Sequence, residues 1–218
     1  MANIKTIAIV GAASKVGSAI ARSLQGKYTL LLMSSDNAAV EDLKSELSNS
    51  SAEVYALSCA KDAAWEADII IVATPYSEDR KVADKIKDVA VGKIVISVSN
   101  PLDDSNNPGI PDDSSAAEEL QRLLPHSKVV KTFNTSFAAE FMTTVRDGKM
   151  VDAFIAGNNS DAVDTASRVV ASAGFKPVVV GDLTMSRTLE RMQLTLRRML
   201  LRNDISIMAG MSSNPQSA

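Results

Sequence analysis

Histidine and cysteine are nearly missing from this chain: its 218 residues hold one of each, His126 and Cys59. A structural disulfide needs a second cysteine, and a zinc site usually needs three or four Cys or His ligands, so neither is expected within one chain. Aromatic residues make up only 4% and include one tryptophan, Trp65. Positive charge is not in excess either, because 23 Lys and Arg face 26 Asp and Glu for a formal net charge of -3. A nucleic-acid partner is not expected, since such a surface wants a basic patch. No apolar stretch approaches the roughly 20 residues of a membrane helix. Met1 to Val10 reads as a short strand and not as a signal peptide. A cytoplasmic protein without membrane or nucleic-acid partners is the expectation.

Apolar residues, at 45%, suffice for an ordinary globular core. Ile4 to Val10 is an apolar, β-branched run that meets Gly11. Val16, Ala19, Ile20 and Leu24 follow at helical spacing, and Tyr28 to Met33 is the next apolar run. Asn37 to Leu47 predicts a second helix with Asn37 a candidate cap, and Glu53 to Leu57 a third strand. Asp68 to Ala73 and Lys93 to Val98 read as strands buried on both faces, with Glu78 to Val89 helical between them. Ser99 to Ser115 has the composition of a long loop. Ser115 and Glu118 form a capping-box pattern before a helix that stops ahead of Pro125. Ser127 to Thr132 is a strand; Ala153 to Ala156, Asp161 to Ala173 and Phe175 to Val180 read as strand, helix, strand. Thr184 to about Arg202 is a long helix, and Ser212 to Ala218 reads as a frayed end. Alternating strands and helices predict an α/β fold, a doubly wound and mainly parallel Rossmann sheet with a C-terminal helix. The expected division is 1–182 for a nucleotide-binding domain and 183–218 for a helix and tail packed on that domain or on a second subunit.

The first strand-to-helix turn reads Gly11-Ala12-Ala13-Ser14-Lys15-Val16-Gly17. A tight turn needs Gly11, and Gly17 lets helix and strand pack closely. The helix N-terminus offers free N–H groups to a pyrophosphate. No glycine stands between the two, so Ser14 or Ala13 takes the place where backbone approaches phosphate, and Ser14 could add a hydroxyl. After the second strand stand Ser34, Ser35 and Asp36. Hydroxyls where an acid would grip the ribose of NAD favour the extra phosphate of NADP, while Asp36 could serve as a helix cap.

Further stretches join this turn: Val72-Ala73-Thr74-Pro75-Tyr76, Ser99-Asn100-Pro101-Leu102, the run from Ser115 to Leu120, and Val130 to Thr135 with Phe133-Asn134-Thr135 at its end. Together they resemble the F420-dependent NADP reductases, whose domain also occurs in membrane ferric reductases. The likeness spans about residues 4 to 200. It implies NADP(H) in a Rossmann crevice and hydride transfer to or from a deazaflavin or flavin stacked on the nicotinamide, with a small-molecule redox acceptor as partner. On that resemblance Gly11 to Gly17 hold the pyrophosphate, and Ser34 and Ser35 meet the 2′-phosphate. Ala73 to Tyr76 line the adenosine and ribose side. Asn100, Pro101, Leu102, Phe133, Asn134 and Thr135 frame the nicotinamide and the acceptor. The sequence departs from the family pattern at Ala12 and Ser14, where more glycine is usual, and at Ser35, where an arginine is usual.

Hydride transfer between flat rings often needs no acid, base or nucleophile, so no catalytic side chain and no metal ligand is assigned. His126 reads as an exposed turn residue and Cys59 as a small buried one. Trp65 reads as a core or surface anchor, and Tyr76 either covers the cofactor or packs on the next helix. The C-terminal helix carries Leu189, Met192, Leu196, Met199 and Leu200 on one side, consistent with docking on the domain or in a homodimer. Arg187 or Arg191 could instead meet an anionic acceptor tail. Short-chain dehydrogenases need Tyr-x-x-x-Lys, and none of Tyr28, Tyr55 and Tyr76 has lysine at that spacing. A cofactor sensor or binding subunit without turnover is the remaining alternative.

Overall fold

The computed structural model describes residues 5–48, 53–102, 109–111, 113–136, 141, 143–146 and 148–201. The expectations placed on Arg202, on the stretch 212–218 and on the middle of the 99–115 loop lie outside them. So do the side chain of Leu200 and the segment 202–218.

Strand β1 is Thr6–Val10, helix α1 Lys15–Leu24, strand β2 Thr29–Met33 and helix α2 Asn37–Leu47. Strand β3 is Val54–Leu57, helix α3 Ala60–Glu66, strand β4 Ile69–Val72, helix α4 Tyr76–Ile86 and strand β5 Ile94–Ser97. Helix α5 (Ala116–Leu123) leads to strand β6 (Lys128–Lys131). Then come the short hairpin β7 (Val145–Arg146) and β8 (Lys149–Met150), strand β9 (Asp152–Gly157), helix α6 (Ser160–Ser172) and strand β10 (Lys176–Gly181). A 3-10 turn, Leu183–Met185, feeds helix α7, Ser186–Leu201.

The large sheet runs β10-β9-β6-β5-β4-β1-β2-β3. The six strands from β3 to β6 are parallel, while β9 meets β6 antiparallel and pairs in parallel with β10. The last strand–helix–strand unit therefore points the opposite way from the rest. The long connection after β6 is what permits the reversal, and the sequence pattern of β9 carries no mark of direction. Alternate residues of each central strand face opposite layers. Ile7, Ile9, Leu30 and Leu32 belong to the core under α1, α2 and α6, whereas Ala8, Val10, Leu31 and Met33 belong to the core under α3, α4 and α5. Burial on both faces explains why β4 is a continuous run of Ile69, Ile70, Ile71 and Val72.

Three local readings need correction. Asp36, not Asn37, caps α2, accepting from Ala39 N at 3.0 Å. Position decides, because Asp36 has extended backbone while Asn37 is already the first helical residue. Helix α3 is absent from the sequence reading, because its Ala-rich stretch has too few large apolar residues to show a period. Cys59 precedes α3 and is half-buried rather than buried.

The buried face of α7 also differs from the expected one. Leu189 and Leu194 are buried, but so are Ser186, Glu190 and Gln193, while Met192 and Leu196 are half-buried and Met199 is exposed. A charged side chain enters because β6 presents Lys131 there, fully buried. Its ammonium lies 2.6 Å from Glu190 Oε1. Two buried charges are tolerated when they pair and fill their remaining hydrogen bonds. Glu190 accepts in addition from Ala116 N at 2.9 Å and Ala117 N at 3.3 Å, the free end of α5. Lys131 also donates to the carbonyl of Ser99. Arg187 clasps Glu118 at 2.8 Å through Nε, which leaves it committed to the fold rather than to a ligand tail.

Candidate functional site

The strand order reverses between β4-β1 and β1-β2, and there a crevice opens beyond the carboxyl ends of the strands. The crevice holds a cavity of about 510 Å³. Its lining is Ser14, Lys15, Val16, Ala73, Thr74, Pro75, Tyr76, Val98, Ser99, Asn100, Leu102, Gln193 and Arg197. That set has two cations and no carboxylate, which suits an anionic ligand.

The glycine turn forms one wall. Gly11 has φ +91°, and a Cβ there would lie 2.7 Å from the Ala73 carbonyl. A Cβ on Gly17 would lie 2.2 Å from Gly11 O. Both positions therefore require glycine: Gly11 for its left-handed backbone and its contact with β4, Gly17 for the approach of α1 to the turn. Gly11 N and Ala12 N both donate to Met33 O, at 2.8 and 3.0 Å, which pins the turn to the end of β2. Ser14 is the N-cap of α1: its hydroxyl accepts from Gly17 N at 2.9 Å and donates to Ala73 O at 3.0 Å. The hydroxyl thus serves the turn itself. Lys15 and Val16 remain as the first helical residues, whose N–H groups have no carbonyl a turn earlier to bond. Ser34 is half-buried and Ser35 exposed, beside the turn and outside the cavity lining.

The ends of β4, β5 and β6 form the floor, and buried polar groups tie them together. Asp79, in the first turn of α4, accepts from Thr74 Oγ1 at 3.0 Å and from Ser99 Oγ at 2.5 Å. Burial pushes its carboxyl up to about 6, against the pull of the Ser99 and Thr74 hydroxyls and of Lys131. Asn100 donates to Asn134 O, and Asn134 donates back to Asn100 Oδ1, both at 3.0 Å. Phe133, the residue before Asn134, turns the chain with φ +61°. The Phe133 ring points into the core against Phe141 and Phe175, 5.6 and 6.1 Å between centroids. Phe133 shapes the site through its backbone, and Asn134 through Asn100. Thr135 is half-buried outside the cavity lining, and Pro101 lines a smaller cavity beneath α7. Tyr76 lines the crevice and donates to Glu119 Oε2 at 2.6 Å; burial and that carboxylate raise its phenol above the usual range.

Residues 6–101 match the family model described as NADP oxidoreductase, coenzyme F420-dependent. That part of the chain is similar to the family. It is 31% identical over 139 residues to an F420-dependent NADP reductase of Methanocaldococcus jannaschii, an alignment covering 60% of each protein. It is also 31% identical over 136 residues to the metalloreductase STEAP3 of Rattus norvegicus, covering 62% of this chain and 27% of the rat protein. The alignments thus span about 60% of the archaeal relative and about a quarter of the rat one. A crystal structure of a putative F420-dependent NADP reductase from Arthrobacter superposes with a TM-score of 0.78 over 93% of this chain and 96% of that one. At 22% identity this last likeness establishes the shared fold.

The sequence pattern reaches most of the crevice lining and misses part of it. Ser14 to Val16 of the turn, Ala73 to Tyr76, Asn100 and Leu102 come together at the cavity, while Gly11, Ala12, Ala13 and Gly17 lie outside its lining. Val98 and Ser99 follow β5 directly and carried a positional signal, being the residues before the Asn-Pro-Leu stretch. Gln193 and Arg197 carried none, since α7 reaches the crevice only through tertiary packing. His126 is exposed in a turn and Trp65 is 65% exposed, so neither touches the site. Among the described residues no helix is long and apolar enough to cross a membrane.

Proposed function

We propose that this protein binds NADP(H) in the crevice and passes hydride between the nicotinamide and a flat acceptor, a deazaflavin such as coenzyme F420 or a flavin. The observation that carries the reading is the glycine turn at the switch point. Its Cβ-free positions bring the N-terminus of α1 and Lys15 to the edge of a cavity without carboxylates. The family's description names NADP, and the archaeal relative is named for both NADP and F420.

When bound, the cofactor supplies the hydride, and the chain supplies placement and exclusion of water. The N-terminus of α1 and Lys15 hold the pyrophosphate. Ser34, half-buried, and Ser35, exposed, stand beside the turn as the contacts for the 2′-phosphate, with Asp36 taken up in capping α2. Thr74, Pro75 and Tyr76 bound the cavity from the end of β4, and Asn100 and Leu102 from beyond β5. Holding two flat reactants in a fixed approach lowers the barrier without an acid or base.

The test is titration of the purified protein with NADPH and NADH, followed by coenzyme F420, FMN and ferric citrate while the NADPH absorbance is recorded. Tight NADPH binding with oxidation by F420 or FMN supports the proposal. Binding without oxidation by any acceptor makes the protein a cofactor sensor or a subunit awaiting a partner. Failure to bind either nucleotide overturns it. The Ser34→Ala, Ser35→Ala double variant should lower the ratio of NADPH to NADH affinity, and an unchanged ratio removes both serines from phosphate recognition.

A further inference from the structure

Five buried side-chain polar atoms have no hydrogen-bond partner among the described residues: Ser97 Oγ, Thr132 Oγ1, Asn134 Oδ1, Ser136 Oγ and Gln193 Oε1. Of these residues only Gln193 also lines the crevice cavity. It is 7% exposed. A buried amide oxygen with nothing to accept from is costly and calls for an explanation, such as a ligand that completes it.

Gln193 is held firmly for such a role. It lies three residues after Glu190 on the same face of α7. Glu190 is locked to Lys131 and to the start of α5, and Leu189 and Leu194 are buried on either side. Its amide therefore has little freedom to find another partner.

Strand order says which part of a dinucleotide it faces. The crevice runs from the end of β2, past the glycine turn on β1, to the ends of β4 and β5. Ser34 and Ser35 stand at the first end; Ser99, Asn100 and Gln193 stand at the other. Resting on the NADP(H) reading above, we infer that Gln193 binds the nicotinamide half of the cofactor, its side-chain amide pairing with the ring's carboxamide. A primary amide offers both a donor and an acceptor, so two carboxamides can pair reciprocally. The C-terminal helix is on this inference a wall of the cofactor site rather than an appendage.

The experiment replaces Gln193 with a side chain of similar size that cannot hydrogen-bond. Gln193→Met and the wild-type protein are titrated with NADPH and with 2′-phospho-ADP-ribose, which keeps the phosphates and lacks the nicotinamide. Melting of the ligand-free proteins is recorded alongside. The variant should bind NADPH about tenfold more weakly, the size of one good hydrogen bond. Its affinity for the fragment should be unchanged, and its ligand-free melting temperature unchanged or raised, because an unpartnered amide has been removed. Equal NADPH affinity, or a parallel loss for both ligands, overturns the inference. So does a lower melting temperature, which would mark the amide as a support of the fold. If wild-type protein binds neither ligand, the functional reading itself fails, a result distinct from any difference between the two proteins.

Discussion

The two walls of the crevice are built on opposite principles. The wall made by β1, α1 and β4 is held by backbone: Gly11, Gly17 and the Ser14 cap bring main chain against main chain with no charged group in the contacts. The wall made by β6, α5 and α7 is held by charge, with Lys131 and Glu190 both buried and joined at 2.6 Å. A local turn can be specified by a few residues in a row, because its constraint is steric. A helix brought in from more than fifty positions away in sequence needs complementary groups on both partners, and a buried ion pair punishes any other docking.

The comparison can be broken most forcefully at the ion pair. Glu190→Ala should destabilise the protein by about 4 kcal/mol in urea unfolding, since it strands the Lys131 ammonium in the core. Combining Lys131→Met with Glu190→Gln should recover most of that loss, as the glutamine can still accept from the start of α5. A double variant as unstable as Glu190→Ala would show that the charge itself, not its pairing, supports α7.

Asp79 links the two walls, and its effect depends on pH. Burial raises its carboxyl from 3.8 to about 6 in the folded protein. Between those values the folded state keeps the proton that the unfolded state releases. Its contribution to stability is thus full below about 3.8 and is lost as pH rises through about 6. Relative to Asp79→Asn, the wild type should lose up to about 3 kcal/mol across that window. Parallel stability profiles for the two proteins would place the Asp79 titration elsewhere.

On the backbone wall the expected effects are smaller in stability and larger in binding. Gly17→Ala drives a Cβ against Gly11 O and should destabilise by about 2 kcal/mol while abolishing NADPH binding. Retained NADPH affinity in the folded variant would mean that the turn does not carry the pyrophosphate. Ser14→Ala removes the cap of α1 and should cost about 1 kcal/mol in thermal unfolding, with the turn loosened from Ala73. A change below measurement error there would assign the turn's rigidity to the glycines alone.

What could be read in advance follows the same division. Strands β1, β2, β4 and β5 showed themselves as apolar runs beside turn signals, and the Gly11 to Gly17 turn showed itself by position. Each of these depends on neighbours in the chain. Asp36 as the cap of α2 was one of two open alternatives, decided when its carboxylate took Ala39 N. Hydrophobicity alone gives only part of the inward side of α7, Leu189 being buried and Met192 and Leu196 half-buried. The stripe that faces inward includes Glu190 and Gln193, whose partners lie in other elements. The resemblance makes Phe133 a frame for the ring, whereas its side chain fills the core and its backbone turns beside Asn134.

By itself, then, the sequence determined the Rossmann architecture, the switch-point crevice and the glycine turn, because these rest on periodicity and on the steric demands of single residues. Tertiary structure alone decided the reversed β9–β10 unit, the burial of Lys131 with Glu190 and the entry of Gln193 and Arg197 into the crevice. Those features arise where chain-distant groups meet, and a charge acceptable in the core is known only once its partner is beside it.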